Sequence, residues 1–544
     1  MMFPPGLRTR ALAALDQSFD LVVLGGGISG CGIFFDASQR GLRVLLVEKE
    51  DVAAGTSSRS SKLIHGGLRY LKQMQFKVTR SSCRERDRHL AIDPHLVEPV
   101  DFVYPAFRGD KTPGWQVEIG LFLYDRMTKT PDKHRRVSEA ELARWVPGLD
   151  RKRLDRAMVY RDARVDDARL TAAVAAHGVA YGGSLLTRAR AEEALRDASG
   201  RVIGVAVRDL ETDAVHRVRA SLVINAAGAW VDEVRKLFGL DGRRVRPSRG
   251  SHLMFRPGRL AVDTAITLPS PDDGRPVFFV PHPEGLLVGT TDLFHHGPLD
   301  DPRPTRAEVD YLLRACAEVS GSPPPTLDDV AGAFAGLRPV IDQGDDDPTA
   351  ASREEELWEE DGLLSIAGGK LTTWRLSAEL VVDRAQRLIR ESGASGASLR
   401  RSSATAGTPL AGLAPTDLDR RLLTRFDLEP QVASAMARRL LAGAWRACEG
   451  AAAEDLQPLR DDVDLCAAEL RAHLRFGAVE HLSDLLLRRT RLGTWDAEAT
   501  RDLAPSLREP VCAEMGWDGA RWEAELERFD RDLDAWSPRG VAAV

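Results

Sequence analysis

A short apolar run, Phe19 to Leu24 (FDLVVL), passes directly into Gly25-Gly26-Gly27-Ile28-Ser29-Gly30, and this junction constrains the chain more than any other feature. A GxGxxG turn that follows a buried strand and opens a helix is the fingerprint of a dinucleotide-binding βαβ unit. Its first glycine permits the tight turn, its second lets a pyrophosphate approach the backbone, and its third lets helix and strand pack closely. Cys31 to Arg40 reads as the helix, stopped at Gly41, and Arg43 to Val47 (RVLLV) as the second strand. Glu48 closes that strand about 20 residues after the motif, where such folds place an acid that accepts from ribose hydroxyls and disfavours a 2′-phosphate. Gly25, Gly27, Ile28, Ser29, Gly30 and Glu48 are thus candidate dinucleotide contacts. The helix opening offers unpaired N–H groups and partial positive charge to the phosphates.

At 544 residues the chain has room for two or three domains, and 43% hydrophobic with 29% charged residues is a globular balance. A formal net charge of -6 supplies no basic field for nucleic acid. The six cysteines are dispersed, without a CxxC pair or a histidine cluster, so reduced thiols and no metal site are expected. The amino-terminal apolar patch is too short for a secretory signal, and no run approaches the ~18 apolar residues of a spanning helix, so membrane contact would be peripheral.

Further along, Leu222 to Ala226 (LVINA) reads as another buried strand. Val277 to Val280 and Leu286 to Thr291 flank a five-residue connection, which suggests an antiparallel sheet inserted at about 240–335. Leu363 to Ala367, Gly368-Gly369 and a helical run from Leu371 to about Ile389 return to strand–turn–helix order. The dinucleotide domain therefore reads as discontinuous over 1–390. Residues 391–410 read as a linker, and 411–544 as an all-α domain whose last helix carries the stripe Trp522, Leu526, Phe529, Leu533 and Trp536, read as a packing face. Acidic runs at 345–347 and 354–356 and the pair His295-His296 read as surface, and Arg243, Arg244, Arg246 and Arg249 as a charged loop.

The glycine turn alone does not separate NAD from FAD, and the next signal is the stretch Thr56-Ser57-Ser58-Arg59-Ser60-Ser61-Lys62-Leu63-Ile64-His65-Gly66-Gly67-Leu68-Arg69-Tyr70. With the GGGISG turn it closely resembles the FAD-dependent glycerol-3-phosphate dehydrogenases of the bacterial aerobic and mitochondrial type. Similar agreement occurs at VDDARL (165–170), NAAGAW (225–230), RGSH (249–252), GTTD (289–292), GLRP (336–339), GGKLTTWR (368–375) and LLRRTRLG (486–493), in order along nearly the whole chain. Ala229, where the family usually has Pro, and Arg164, where an aromatic residue often stands, depart from the pattern.

The resemblance implies a fold of an α/β, FAD-binding Rossmann-like (glutathione-reductase-type) domain with an inserted antiparallel-sheet substrate domain and an all-α C-terminal domain. It adds Thr56, Ser57, Ser58, Ser61, Lys62, Leu63, Ile64, Gly228, Trp230, Asp292, Gly369, Lys370, Leu371 and Thr372 to the FAD contacts. For the substrate, sn-glycerol 3-phosphate, it implies Arg69, Tyr70, Arg338, Lys370 and Thr373. Lys370 also stands out by usage: it is the only lysine from residue 237 to the end. A compact ammonium at a helix start suits an anion, and Arg338 between Gly336-Leu337 and Pro339 suits a bidentate grip on phosphate. His65 and His252 are both candidates for the base that takes the C2 hydroxyl proton. Reduced FAD would pass electrons to a membrane quinone, with the chain cytoplasmic and peripheral on the inner face of the cytoplasmic membrane. The alternatives are a glycerol-3-phosphate oxidase using O₂, which keeps the same motifs, and another FAD-dependent oxidase on the same fold, such as one acting on amines or amino acids, which HGGLRY and GGKLTTWR fit badly. A homodimer is compatible with the sequence; nucleic acid is not a partner.

Overall fold

A computed structural model describes residues 3–72, 74–321, 323–344, 355–393, 401–410, 415 and 417–542. Its first sheet has a parallel core. The strand Ser18–Leu24 lies between Val215–Asn225 and Val44–Val47, with Leu363–Ala367 outside the former and Ser184–Leu186 outside the latter. The residues are apolar almost throughout because both faces are covered. On one face the helix Ile28–Gln39 packs between Asp167–Ala180 and Trp374–Glu391, with Phe34 and Phe35 fully buried. Each such side chain contributes roughly 2–3 kcal/mol of burial. Parallel order brings the carboxyl ends of the strands to one edge, where an open α/β sheet binds its ligand.

The second sheet is larger than the inserted segment at 240–335. It has ten strands, and its longest pair, Val97–Phe107 with Leu154–Val165, lies toward one end of the strand order and comes from well before that segment. Pro99 and Pro105 interrupt the strand signal of the first of these. Ser248–Phe255 pairs antiparallel with both Gly285–Gly289 and Val330–Arg338. The hairpin Pro276–His282 to Gly285–Gly289 is confirmed, but pairing runs to His282 and Gly285, which shortens the expected five-residue connection.

The C-terminal helices run from Leu418–Phe426 to Gly519–Asp534. The aromatic stripe is a packing face: Trp522, Phe529 and Leu533 of the last helix are buried in one cluster with Phe334 of the second sheet, joined by Trp536, which lies just past the end of that helix at Asp534 rather than within it. The expected linker is only partly one. Residues 394–400 lie outside the described residues, but Leu410 is buried, its N–H donates to Asp93 Oδ1 at 2.6 Å, and Gln39 Nε2 donates to Thr408 Oγ1 at 2.9 Å. The acidic run 345–347 and Glu354 also lie outside the described residues. His295 is buried rather than exposed, its Nε2 paired with the carbonyl of Pro298 at 3.0 Å. In the basic loop Arg243, Arg244 and Arg249 pair with Asp342, Glu360 and Glu308, and Arg246 lies over Phe294. No helix among the described residues is long and apolar enough to cross a membrane.

Candidate active site

The carboxyl edge of the parallel sheet, residues of the second sheet and part of the C-terminal domain line a cavity of about 1450 Å³. An ordinary ligand pocket is about 300–1,000 Å³, so there is room for a dinucleotide and a small substrate together. Gly25, Gly27, Ile28, Ser29, Glu48, Thr56, Ser57, Ser61, Leu63, His65, Tyr70, Gly228, Trp230, His252, Asp292, Arg338, Gly369, Lys370, Leu371 and Thr372 all line it. Residues up to 347 positions apart in sequence, from Gly25 to Thr372, all named from sequence, thus meet in one place.

The glycine turn is built as its spacing requires. Gly25 has φ +108°, and a Cβ at Gly30 would lie 1.8 Å from the Gly25 carbonyl oxygen. Strand and helix can meet only without those side chains. The helix opens into the cavity, and Ser57 Oγ accepts the Ile28 N–H at 2.8 Å. Ser57 therefore belongs to the cradle and keeps its own O–H for a ligand. Glu48 is less open than expected: its two oxygens accept from Gly26 N at 2.6 Å and Glu50 N at 2.7 Å. Burial raises its pKa and these two bonds oppose the rise. Two further lone-pair positions remain for ribose hydroxyls.

A second helix end faces the same space. Gly368 and Gly369 both have positive φ, at 79° and 74°, and turn the chain so that Lys370 to Thr373 precede the helix Trp374–Glu391. Lys370 Nζ stands 3.6 Å from the centre of the Tyr70 ring, a cation–π contact that helps fix the ammonium in place. The His65 N–H donates to Thr372 Oγ1 at 3.2 Å, which ties the HGG segment to this turn. Behind it the Gly66 N–H donates to Tyr124 Oη at 2.8 Å and Asp162 Oδ1 at 3.1 Å, and Arg86 pairs with Asp162 at 2.6 Å. Tyr124, Asp162 and Arg86 carry no local sequence signal, since their roles arise only when distant segments meet.

Opposite lie the second-sheet groups. Arg338 donates to Thr290 Oγ1 at 2.9 Å and to Asp292 Oδ1 at 3.2 Å. Asp292, expected as a cofactor contact, is engaged in holding Arg338 and accepts from Ser248 Oγ at 2.5 Å. His252 is buried, stacked on Phe334 at 4.8 Å, with Nε2 paired to Ser61 Oγ at 2.9 Å. Burial, with Arg338 and Lys62 nearby, pushes its pKa well below the usual imidazole value, so the ring is neutral at pH 7. His65 is only half-buried, its ring edge-on to Phe278 at 6.3 Å.

Five expected residues are not in the cavity wall: Gly30, Ser58, Lys62, Ile64 and Thr373. Lys62 is the clearest correction. Its Nζ is buried against Asp167 Oδ1 at 2.8 Å and the Ser58 carbonyl at 3.1 Å, facing away from the cavity, and burial with Arg491 lowers its pKa to about 8. Arg69 lies in the helix Leu68–Lys72, but its side chain lies outside the described residues. Arg59 was missed: it lines the cavity, lies over Trp536 at 4.8 Å, and burial lowers its pKa to about 10. The departures from the family pattern are absorbed locally, since Arg164 pairs with Glu98 at 2.6 Å and Ala229 is simply buried.

Residues 20–384 match the family model for FAD-dependent oxidoreductases, and 403–522 match the C-terminal domain of alpha-glycerophosphate oxidase. Glycerol-3-phosphate dehydrogenase 2 of Mycobacterium tuberculosis is 35% identical over 542 residues, covering 95% of this chain and 88% of that protein. The chain belongs to the FAD-dependent glycerol-3-phosphate dehydrogenase family. The aerobic glycerol-3-phosphate dehydrogenase of Staphylococcus haemolyticus is 36% identical over 73% of this chain and 72% of its own. The glycerol-3-phosphate dehydrogenase from Bacillus halodurans, solved with FAD, aligns over 98% of both chains with TM-score 0.79 and 27% identity. FAD is the cofactor of this glycerol-3-phosphate dehydrogenase family member. The cavity fits it: two helix N-termini, the Ser57 hydroxyl and the bare backbone of Gly27 all face a volume large enough for a dinucleotide.

Proposed function

We propose that this chain oxidises sn-glycerol 3-phosphate at C2 to dihydroxyacetone phosphate and passes the electrons to a membrane quinone. The observation that carries the reading is the placement of Arg338 and Lys370 on the wall of the cavity onto which the dinucleotide turn opens. Two cations of different geometry, a planar fork and a compact ammonium, suit a phosphate dianion. When bound, FAD supplies the acceptor for a hydride at N5. Arg338 and Lys370 grip the phosphate and so hold the C2 carbinol in one orientation. His65 takes the C2 hydroxyl proton as the C–H bond breaks and C=O forms; its half-buried ring on the cavity wall suits this better than the buried ring of His252. Neutral His252 then serves to orient Ser61. The N-terminus of Trp374–Glu391, preceded by Lys370, stabilises negative charge developing nearby.

The quinone reading draws on one exposed apolar face. On the helix Gly114–Asp125, Trp115, Ile119, Phe122 and Leu123 are 38–53% exposed, and Met74 and Phe76 are exposed beside them. Ile119, Leu123, Met74 and Phe76 also line the cavity, so this apolar patch is its rim. Exposed Lys77, Arg80, Lys111, Arg126 and Lys129 belong to the same segments. An apolar face bordered by cations suits peripheral contact with an anionic bilayer.

The test is anaerobic mixing of the FAD-loaded protein with sn-glycerol 3-phosphate while the oxidised-flavin absorbance is followed. Quinone in anionic vesicles, or air, is then admitted. Rapid bleaching with recovery by quinone is expected. Bleaching with recovery only by air assigns an oxidase, and no bleaching removes the substrate assignment.

A further inference from the structure

The motif LLRRTRLG, far from the dinucleotide turn in sequence, ends on the loop that holds the turn in place. Asp51, three residues past Glu48, is 1% exposed. Arg489 grips it with two bonds, Nη1 to Oδ2 at 2.9 Å and Nη2 to Oδ1 at 2.8 Å, and Arg488 Nε adds a third at 2.6 Å. Both arginines leave the π-helical turn Asp484–Arg489, whose i→i+5 bond from Thr490 N to Leu485 O measures 2.8 Å. Two residues on, Arg491, held at φ +65°, donates to Asp167 Oδ1 at 3.0 Å and to the Ser58 carbonyl at 3.3 Å. Asp167 Oδ2 in turn accepts from the backbone N–H and the hydroxyl of Ser60. The C-terminal domain thus grips the serine loop 51–62 at both ends.

That loop is bonded to the dinucleotide turn itself. Ala53 N donates to the Gly26 carbonyl at 3.0 Å, and Ser57 Oγ accepts from Ile28 N at 2.8 Å. Asp51 and Arg489 do not line the cavity, so they act on the cofactor only through the loop. We propose that the C-terminal helical domain is a cofactor-retention device: Arg489 on Asp51 and Arg491 on Asp167 position the loop that completes the FAD cradle. FAD affinity and docking of the helical domain are then coupled, and coupling is reciprocal, so FAD must also protect the helical domain. Removing one partner of a buried ion pair leaves an uncompensated charge, so single substitutions carry a large effect.

The test uses the full-length protein with Asp51→Asn, Arg489→Gln, their combination, and Arg489→Lys. FAD affinity is measured by titrating apo-protein and following flavin fluorescence, and backbone hydrogen exchange over residues 484–503 is compared with and without FAD. Each single variant is expected to raise the FAD Kd about 10- to 100-fold, the range of site-to-site coupling. The double variant should be no worse than the weaker single, and Arg489→Lys should recover part of the loss. Flavin reduction at saturating FAD should stay within about threefold of the parent, because neither residue touches the reacting atoms. In the parent protein FAD should slow exchange at 484–503. Unchanged Kd in folded Asp51→Asn and Arg489→Gln overturns the proposal. So does FAD-independent exchange at 484–503 in the parent, which needs no variant to fold.

Discussion

Two glycines of one turn are expected to fail in different ways when given a methyl group. At Gly30 a Cβ would stand 1.8 Å from the Gly25 carbonyl oxygen and 3.5 Å from Ala226 Cβ. Nothing flexible can yield, so the helix Ile28–Gln39 must move away from its strand, at a cost of 3 kcal/mol or more, on the order of other severe overpacking. At Gly27 the added Cβ meets only Ser57 Oγ, at 3.3 Å, and otherwise points into the cavity. The fold should tolerate it, but a methyl there keeps a phosphate from the N–H groups at the helix start. Losing two charge-assisted hydrogen bonds of about 1.5–3 kcal/mol each, with part of the loss recovered by water, leaves a penalty near ~3–4 kcal/mol, on the order of 10²–10³ in Kd. The assay pairs thermal unfolding of the apo-proteins with FAD titration by flavin fluorescence. Gly30→Ala should melt well below the parent; Gly27→Ala should melt within a few degrees of it and yet bind FAD at least about 10²-fold more weakly. A Gly27→Ala protein with parental FAD affinity would refute the assignment of the pyrophosphate to this turn.

The phosphate grip predicts that Arg338→Met and Lys370→Met each raise KM for glycerol 3-phosphate about 10²-fold, from a lost charged contact of roughly 3 kcal/mol, while FAD stays bound. A KM within threefold of the parent in steady-state kinetics would show the phosphate lying elsewhere. Acid stability follows from buried histidines: burial lowers the pKa of His177, His252, His282 and His473 below the usual imidazole value. The unfolded chain protonates these groups near pH 6.5 while the native state does not, so their stabilisation is complete above pH 6.5 and falls as pH drops, by up to about 1.4 kcal/mol per unit for each. His481, paired with Glu211 and Glu525 and raised in pKa, has the opposite sign and offsets one of the four. Melting temperature should therefore fall from pH 7 to pH 5, and less steeply in His282→Gln; a flat profile in calorimetry would contradict the assignment.

Much of this molecule is decided locally. Gly25 and Gly30 announce the dinucleotide turn because a strand, a left-handed residue and a close helix contact each impose a residue type within a few positions. Lys370 is visible for a similar reason: in a chain that otherwise uses arginine after residue 237, one lysine after two glycines at a helix start is a local anomaly. The aromatic stripe ending at Trp536 has a helical period that any packing partner would require. What the chain alone did not disclose depends on which distant segments meet. Lys62, in a motif full of cofactor contacts, turns away from the cavity because Asp167 and the Ser58 carbonyl offer it buried partners, and the spacing of residues says nothing of which side a lysine takes. Val97–Phe107 and Leu154–Val165 belong to the second sheet because they pair with each other across dozens of residues, not because either has a strong strand pattern. Asp51 carries no signal in its local sequence; its role comes from Arg489, which meets it from 438 positions away. Turn chemistry, charge usage and periodicity are properties of neighbouring residues and are written in sequence. Burial, ion pairing and the side from which a side chain meets a cavity are properties of the folded whole, set by long-range contacts that only tertiary structure supplies.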